Sequence, residues 1–172
     1  MKTKILIYLS VLLLIIAGYK TFKHYSELGG VKRAGADYLY PTITGELNLA
    51  VNQGNINQTI CKSGWTTEIR NANATLINSK RKQAGTTINQ EWDHELSLEL
   101  GGSPTSSNNL WSQDYPQARW KDRVETNLKN RICAGKITLK EAQRIITTDW
   151  YAEYLKIGGK LGAVNEPSRT DD

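Results

Sequence analysis

Apolar residues gather first in one unbroken run, Ile5 to Tyr19, set between Lys2 and Lys4 on one side and Lys20 and Lys23 on the other. From Glu27 to Leu47 the chain is Gly-containing and weakly periodic, which reads as a tether. Asn48 to Ile60 has room for a short helix, against which Gly54 and four Asn work. Trp65 to Arg70 alternates and predicts a strand, while Thr75 to Ala84 predicts a helix stopped by Gly85. Thr87 to Leu98 and Asn109 to Trp111 are the expected strands of a hairpin, followed by a helix over Gln117 to Ile132. Thr138-Leu139-Lys140-Glu141 is a capping box opening a last helix, whose Ile146, Trp150 and Tyr154 recur at i+4. Beyond Lys156 there is little to pack, and 157–172 is expected to be a mobile tail.

This pattern predicts an α+β domain over 48–156, behind a tether at 27–47 and an N-terminal segment at 1–26. The N-terminal apolar run is fifteen residues, short of the ~20 of a full membrane span and within the range of a signal-peptide core. Cleavage after Ala17 and retention as a membrane anchor both remain open. Either one places the domain outside the cytoplasm, anchored to the inner membrane or secreted.

Composition adds scale. A chain of 172 residues with that N-terminus leaves one modest domain, and five Trp and eight Tyr against one Phe and one Met assign much of the packing to amphipathic rings. There is no internal repeat, Walker loop or dinucleotide fingerprint. A net charge of +5 is moderate, but its placement is uneven. Lys80, Arg81 and Lys82 precede the expected hairpin, and Arg119, Lys121, Arg123, Lys129 and Arg131 load the helix after it. Contacts to nucleic-acid phosphates are the functional reading of these clusters. A solvated helix surface with a Glu125–Lys129 pair is the structural one.

Between the clusters lie Asp93-His94, Leu98-Glu99-Leu100-Gly101-Gly102 and Asn109-Leu110-Trp111. Phosphodiester hydrolysis needs a water stripped of its proton, a cation on the phosphate and leaving oxygens, and a group that keeps the base aimed. Adjacent Asp93 and His94 on a strand point to opposite faces, so one can hold a metal while the other addresses substrate. Asn109, returning on the second strand, would bond to His94 or to the backbone around it. The chain has two His, and His24 sits beside the apolar run, which leaves His94 as the imidazole base.

At these residues the sequence resembles the HNH endonucleases, the ββα-metal nucleases. The likeness runs from Glu91-Trp92-Asp93-His94 through Gly101-Gly102 and Asn109-Leu110-Trp111 to Ala118 and Lys121-Asp122. It is closest to a small bacterial subfamily, through Ile60-Cys61, Gly64-Trp65-Thr66 and Ile132-Cys133-Ala134-Gly135, and covers roughly Asn48 to Tyr154. The resemblance implies a hairpin-plus-helix core with flanking helices, His94 as general base, Asp93 as metal ligand and Asn109 as orienter. The family's third metal position falls on Ala118, which has no donor atom. Asp122 and Glu125, four and seven residues on, share its helical face and are the candidate replacements, as are Gln117 and water. Oxygen ligation favours Mg or Mn over Zn or Ni. The implied partners are nucleic acid, DNA ahead of RNA, and the membrane through the N-terminal segment. The other class of function is an inactive relative that only binds nucleic acid or protein, with Ala118 marking the lost site.

Cys61 and Cys133 are the only cysteines, on opposite sides of the hairpin. In an oxidising compartment an even count in a small domain reads as a bridge. Two reduced, buried thiols in a cytoplasm-facing domain are the competing reading.

Overall fold

A computed structural model describes residues 44–159, together with the backbone of 30–32 and 39–41. The chain divides into two units, Met1–Thr42 and Ile43–Asp172. In the first, β1 (Gly30–Lys32) pairs antiparallel with β2 (Leu39–Pro41), Val31 opposite Tyr40. The stretch read as a bare tether therefore carries a small hairpin. The N-terminal apolar run and the tail from 160 onward lie outside the described residues. Among the described residues no helix is long and apolar enough to cross a membrane.

The second unit is α+β, four helices around one antiparallel hairpin. Its order is a 3-10 helix at Gln53–Gln58, α1 (Trp65–Ala72), α2 (Ala74–Ala84), β3 (Gln90–His94), a 3-10 turn at Leu98–Leu100, β4 (Leu110–Asp114), α3 (Gln117–Cys133) and α4 (Leu139–Lys156). It begins a few residues before Asn48. Gly45 donates to the Asn108 carbonyl, Ser103 to that of Glu46 and Asn48 to that of Gly101, so the chain from 45 onward is stitched to the loop between β3 and β4.

Two expectations need correction. Trp65 to Arg70 is helix, not strand. Its two apolar residues, Trp65 and Ile69, stand four apart, which suits one helical face as well as it suits alternation. Gly64 enters in the left-handed region, and Glu68 complements the helix dipole in the first turn. The short helix expected over Asn48–Ile60 is a 3-10 segment, opened by a capping box in which Asn52 and Asn55 exchange bonds with each other's backbone. The Asn residues that weaken an α-helix here make the local bonds that replace it. The expected strands also shift, since β3 is only Gln90–His94 within the expected Thr87 to Leu98, and β4 starts at Leu110 and runs on to Asp114.

α3 and α4 pack against each other and form most of the core. Val124, Leu128 and Ile132 of α3 and Ala142, Ile146, Trp150 and Tyr154 of α4 are all buried, at the helical spacings of one face each. Trp120 stacks on Tyr154 with ring centroids 5.5 Å apart, and Tyr151 stacks on Tyr154 at 5.9 Å. Trp65, Trp120 and Trp150 are core residues as expected, while Trp92 and Trp111 are half-buried on the hairpin. Thr138 caps α4 by accepting from the Glu141 amide. The helix is broken at Asp149, whose backbone is extended and whose carboxylate accepts from Ala152, starting a second helical segment.

A disulfide joins Cys61, just ahead of α1, to Cys133, the last residue of α3, with Cα atoms 5.6 Å apart and the two residues 72 positions apart in sequence. It closes the chain around the whole hairpin. On the chain-entropy account a loop of this length is stabilised by about 4 kcal/mol. The double variant Cys61→Ser/Cys133→Ser should lose a free energy of that order in urea unfolding, and a reducing agent should bring the wild type to the same midpoint. Coincident curves for oxidised and reduced protein would show that the bridge contributes nothing.

Candidate active site

The hairpin register sets Glu91 opposite Gln113, Asp93 opposite Trp111 and His94 opposite Leu110. Glu91 and Asp93 therefore share one face, and that face meets α3 through Lys121. His94 points the other way, toward the loop that returns to β4. Asp93 and His94 are 8% and 6% exposed, so both are nearly closed off by these neighbours.

His94 Nε2 lies 3.1 Å from the Pro104 carbonyl oxygen. A carbonyl can only accept, so Nε2 carries the proton and Nδ1 is left with its lone pair. Burial holds the imidazole below its ordinary value, partly opposed by the Asp93 carboxylate and the Pro104 carbonyl. The ring is thus neutral near pH 7.

Asn109 bonds to the backbone around His94 rather than to its ring. Its Oδ1 accepts from Leu96 N at 2.8 Å and Glu46 N at 3.3 Å, while Nδ2 donates to Ser103 O at 2.8 Å and Leu96 O at 3.0 Å. One buried amide thereby fixes both ends of the loop, and Ser103 directly precedes the carbonyl that orients the ring. Gly102 has no room for a side chain, since a Cβ there would stand 1.7 Å from the Leu96 carbonyl oxygen. The Gly-Gly pair and the Asn are parts of one clamp.

Lys121 corrects the surface-charge reading. Its ammonium is wholly buried, 2.8 Å from Asp93 Oδ2, 2.6 Å from Glu125 Oε1 and 2.6 Å from the His94 carbonyl oxygen. Desolvation works against this charge, but Asp93, Glu125 and Glu95 outweigh it and hold Lys121 well above the ordinary lysine range. It is not placed to meet a substrate phosphate. Glu125 is committed as well, because Oε2 accepts from Ser97 Oγ at 2.7 Å. With both oxygens taken, Glu125 is not the free ligand expected beside Ala118, which is itself buried. The Glu125–Lys129 pair is absent too, as Lys129 pairs with Glu99 at 3.1 Å.

Asp122 is the carboxyl left over. Burial and the negative charges of Glu125, Glu91 and Asp93 push it up to about 8. Glu91, on the β3 face, is also raised by burial and by Asp93, against a hydrogen bond from the Tyr115 hydroxyl at 3.2 Å. Near pH 7 Asp122 therefore keeps its proton, because ionising it would add a negative charge beside carboxylates that Lys121 alone does not balance. Among the described residues no three His, Cys, Asp or Glu side chains close a metal cage. Asp93 and Asp122 offer hard oxygen atoms, the donor type that suits Mg or Mn better than a thiolate-binding metal.

Beside Asp122 runs a cleft of about 390 Å3, with Thr66, Thr67 and Arg70 of α1 on one wall and Asp122, Glu125 and Thr126 of α3 on the other. Sequence reading missed Arg70, which fell in an expected strand and belongs to no motif. The signal present was the i, i+3 and i+4 spacing of Thr66, Thr67 and Arg70. A larger groove of about 750 Å3, lined by Leu47, Val51, Leu96 and Leu139 among others, is mainly apolar and holds no motif carboxylate. Of the remaining basic residues, Arg81, Lys82 and Arg123 are exposed. Lys80 donates to Ser107 at 2.6 Å, and Arg119 and Arg123 lie 5.3 Å over the rings of Tyr115 and Tyr154.

Two measurements follow from the buried charges. Lys121→Met leaves Asp93 and Glu125 without their counter-charge and should cost about 3–5 kcal/mol in urea unfolding; a variant as stable as the wild type would refute the bridge. Asp122 has a folded value of about 8 against 3.8 for an aspartate in water. Its contribution to stability is therefore complete below pH 4 and is lost as pH rises through 8. Between pH 7 and 9, above the ordinary histidine value of 6.5, the unfolding free energy should fall for the wild type and stay flatter for Asp122→Asn. Equal slopes would remove the assignment. The chain matches no family model, no curated protein and no solved structure, and its chemistry is read from the residues just described.

Proposed function

We propose that this chain is a divalent-cation-dependent endonuclease of the HNH type, with a ββα-metal core formed by β3, β4 and α3, that hydrolyses phosphodiester bonds in DNA or RNA outside the cytoplasm. The observation that carries the reading is His94. A neutral imidazole with its tautomer set by a backbone carbonyl, next to a carboxylate and an acidic helix face, meets the requirements of a general base.

Nδ1 of His94 takes the proton of the attacking water. The imidazolium so formed is favoured by the nearby Asp93 carboxylate, which already acts to raise the ring's proton affinity. Pro104 and the Asn109 clamp keep the ring from turning as it changes charge. Asp93 and Asp122 would hold the cation, which supplies charge stabilisation at the phosphate and leaving oxygens. Lys121 fixes the Asp93 carboxylate from beneath, so the base and the ligand next to it in sequence are positioned by different partners. Lys80, Arg81, Lys82, Arg119 and Arg123 are the residues for sequence-independent phosphate contacts. Export or anchoring by the N-terminal segment accords with the disulfide, which belongs to an oxidising compartment.

One observation favours the second reading, an inactive nucleic-acid- or protein-binding module. The Lys121 ammonium already sits between Asp93 and Glu125, as an internal cation among the expected ligands. Plasmid cleavage by the purified chain in Mg or Mn separates the two. The nuclease reading expects divalent-dependent cutting that falls ~10²–10⁴-fold in His94→Ala with an unchanged circular dichroism spectrum, and in Asp93→Ala a loss that excess metal partly restores. No cutting by the wild type in any divalent ion would leave the binding module.

A further inference from the structure

Arg70 is exposed at the edge of the site and makes no ion pair with any described residue. Glu68, its neighbour on α1, has a different fate, since it pairs with the exposed Lys62 ahead of the helix at 3.4 Å. Arg70 lies in the cleft wall with Thr66 and Thr67, across from Asp122, Glu125 and Thr126. Its charge is felt by both Glu91 and His94, which places it within electrostatic reach of the base. Both oxygens of Glu125 already accept bonds, from Lys121 and from Ser97, and neither is shared with Arg70.

We infer that Arg70 binds the phosphodiester itself, its guanidinium donating to the non-bridging oxygens from the α1 wall while the carboxylate wall of α3 faces the same phosphate across the cleft. The inference rests on the nuclease reading and names the residue that seats its substrate. An acidic wall alone repels a phosphate, and one arginine opposite it supplies the attraction and a planar, two-pronged geometry. Thr66 and Thr67 add hydroxyl donors on the same face, and the cleft volume of about 390 Å3 admits a phosphate with its flanking sugars.

The test compares Arg70→Ala and Arg70→Lys with the wild type in the full disulfide-bonded chain. Cleavage of a short DNA duplex in Mn should fall about 10²-fold in kcat/KM for Arg70→Ala, with partial recovery in Arg70→Lys, which keeps the charge and loses the fork. Binding of the same duplex by a His94→Ala chain, followed by fluorescence anisotropy in Ca, should lose about 0.9 from its log–log salt slope when Arg70→Ala is added. Thermal melting should not change, because the side chain is exposed and unpaired. Wild-type cleavage with Arg70→Ala equally active overturns this inference and leaves the nuclease reading standing. A loss accompanied by a lower melting temperature and no recovery in Arg70→Lys overturns it also, as a packing effect. Absence of cleavage by the wild type overturns both.

Discussion

The buried ammonium of Lys121 is the constraint around which the site is arranged. A positive charge with no exposed surface is tolerated only where carboxylates surround it, and here Asp93 and Glu125 do so from different elements. The same ammonium donates to the carbonyl of His94, so one side chain fastens α3 to the end of β3 at two points, while its third bond, to Glu125, stays within α3. Hydrophobic packing of α3 on α4 sets where the helix lies. Lys121 sets how it is rotated against the hairpin. Removing its charge would leave two carboxylates whose mutual repulsion acts where Asp93 must be held still.

A second clamp, made of neutral groups, acts on the other face of the strand. Asn109 ties Leu96 and Ser103 together, and the close approach of Gly102 to Leu96 permits the turn between them. The Pro104 carbonyl then reaches His94. Asp93 and His94, adjacent in sequence, are thus governed by unrelated devices, one ionic and one amide-based. Each can hold its own geometry while the other residue changes charge.

The hairpin, the helix after it and the last helix were legible because their signals are local. Turn glycines, the Thr138 cap and apolar residues at i+4 each act within a few positions, and the outcome agrees with them. Asn109 was legible as a bond to His94 or to the backbone around it, and the structure takes the second, with four bonds that no local signal announces. The fate of Lys121 was not legible. A lysine on a basic helix reads as solvated, and only the register of β3 against α3 reveals that this one faces inward. Glu125 was misjudged for the same reason, as its second oxygen goes to Ser97, distant in sequence. The α1 segment was lost to the ambiguity of a six-residue window in which alternation and i+4 spacing coincide. With it went Arg70, whose relevance depends entirely on which wall it stands in.

α1 packs only lightly on the other elements, and Ile60 and Trp65 are its chief buried anchors. The Cys61–Cys133 bridge lies between those two anchors in sequence and fastens them to the far end of α3. One wall of the cleft therefore depends on a covalent latch that thiol-reducing surroundings open. With its two cysteines reduced, the chain would keep His94 and the acidic helix face with the opposite wall unlatched. The oxidation state of two sulfur atoms would thereby govern how firmly the cleft keeps its second side.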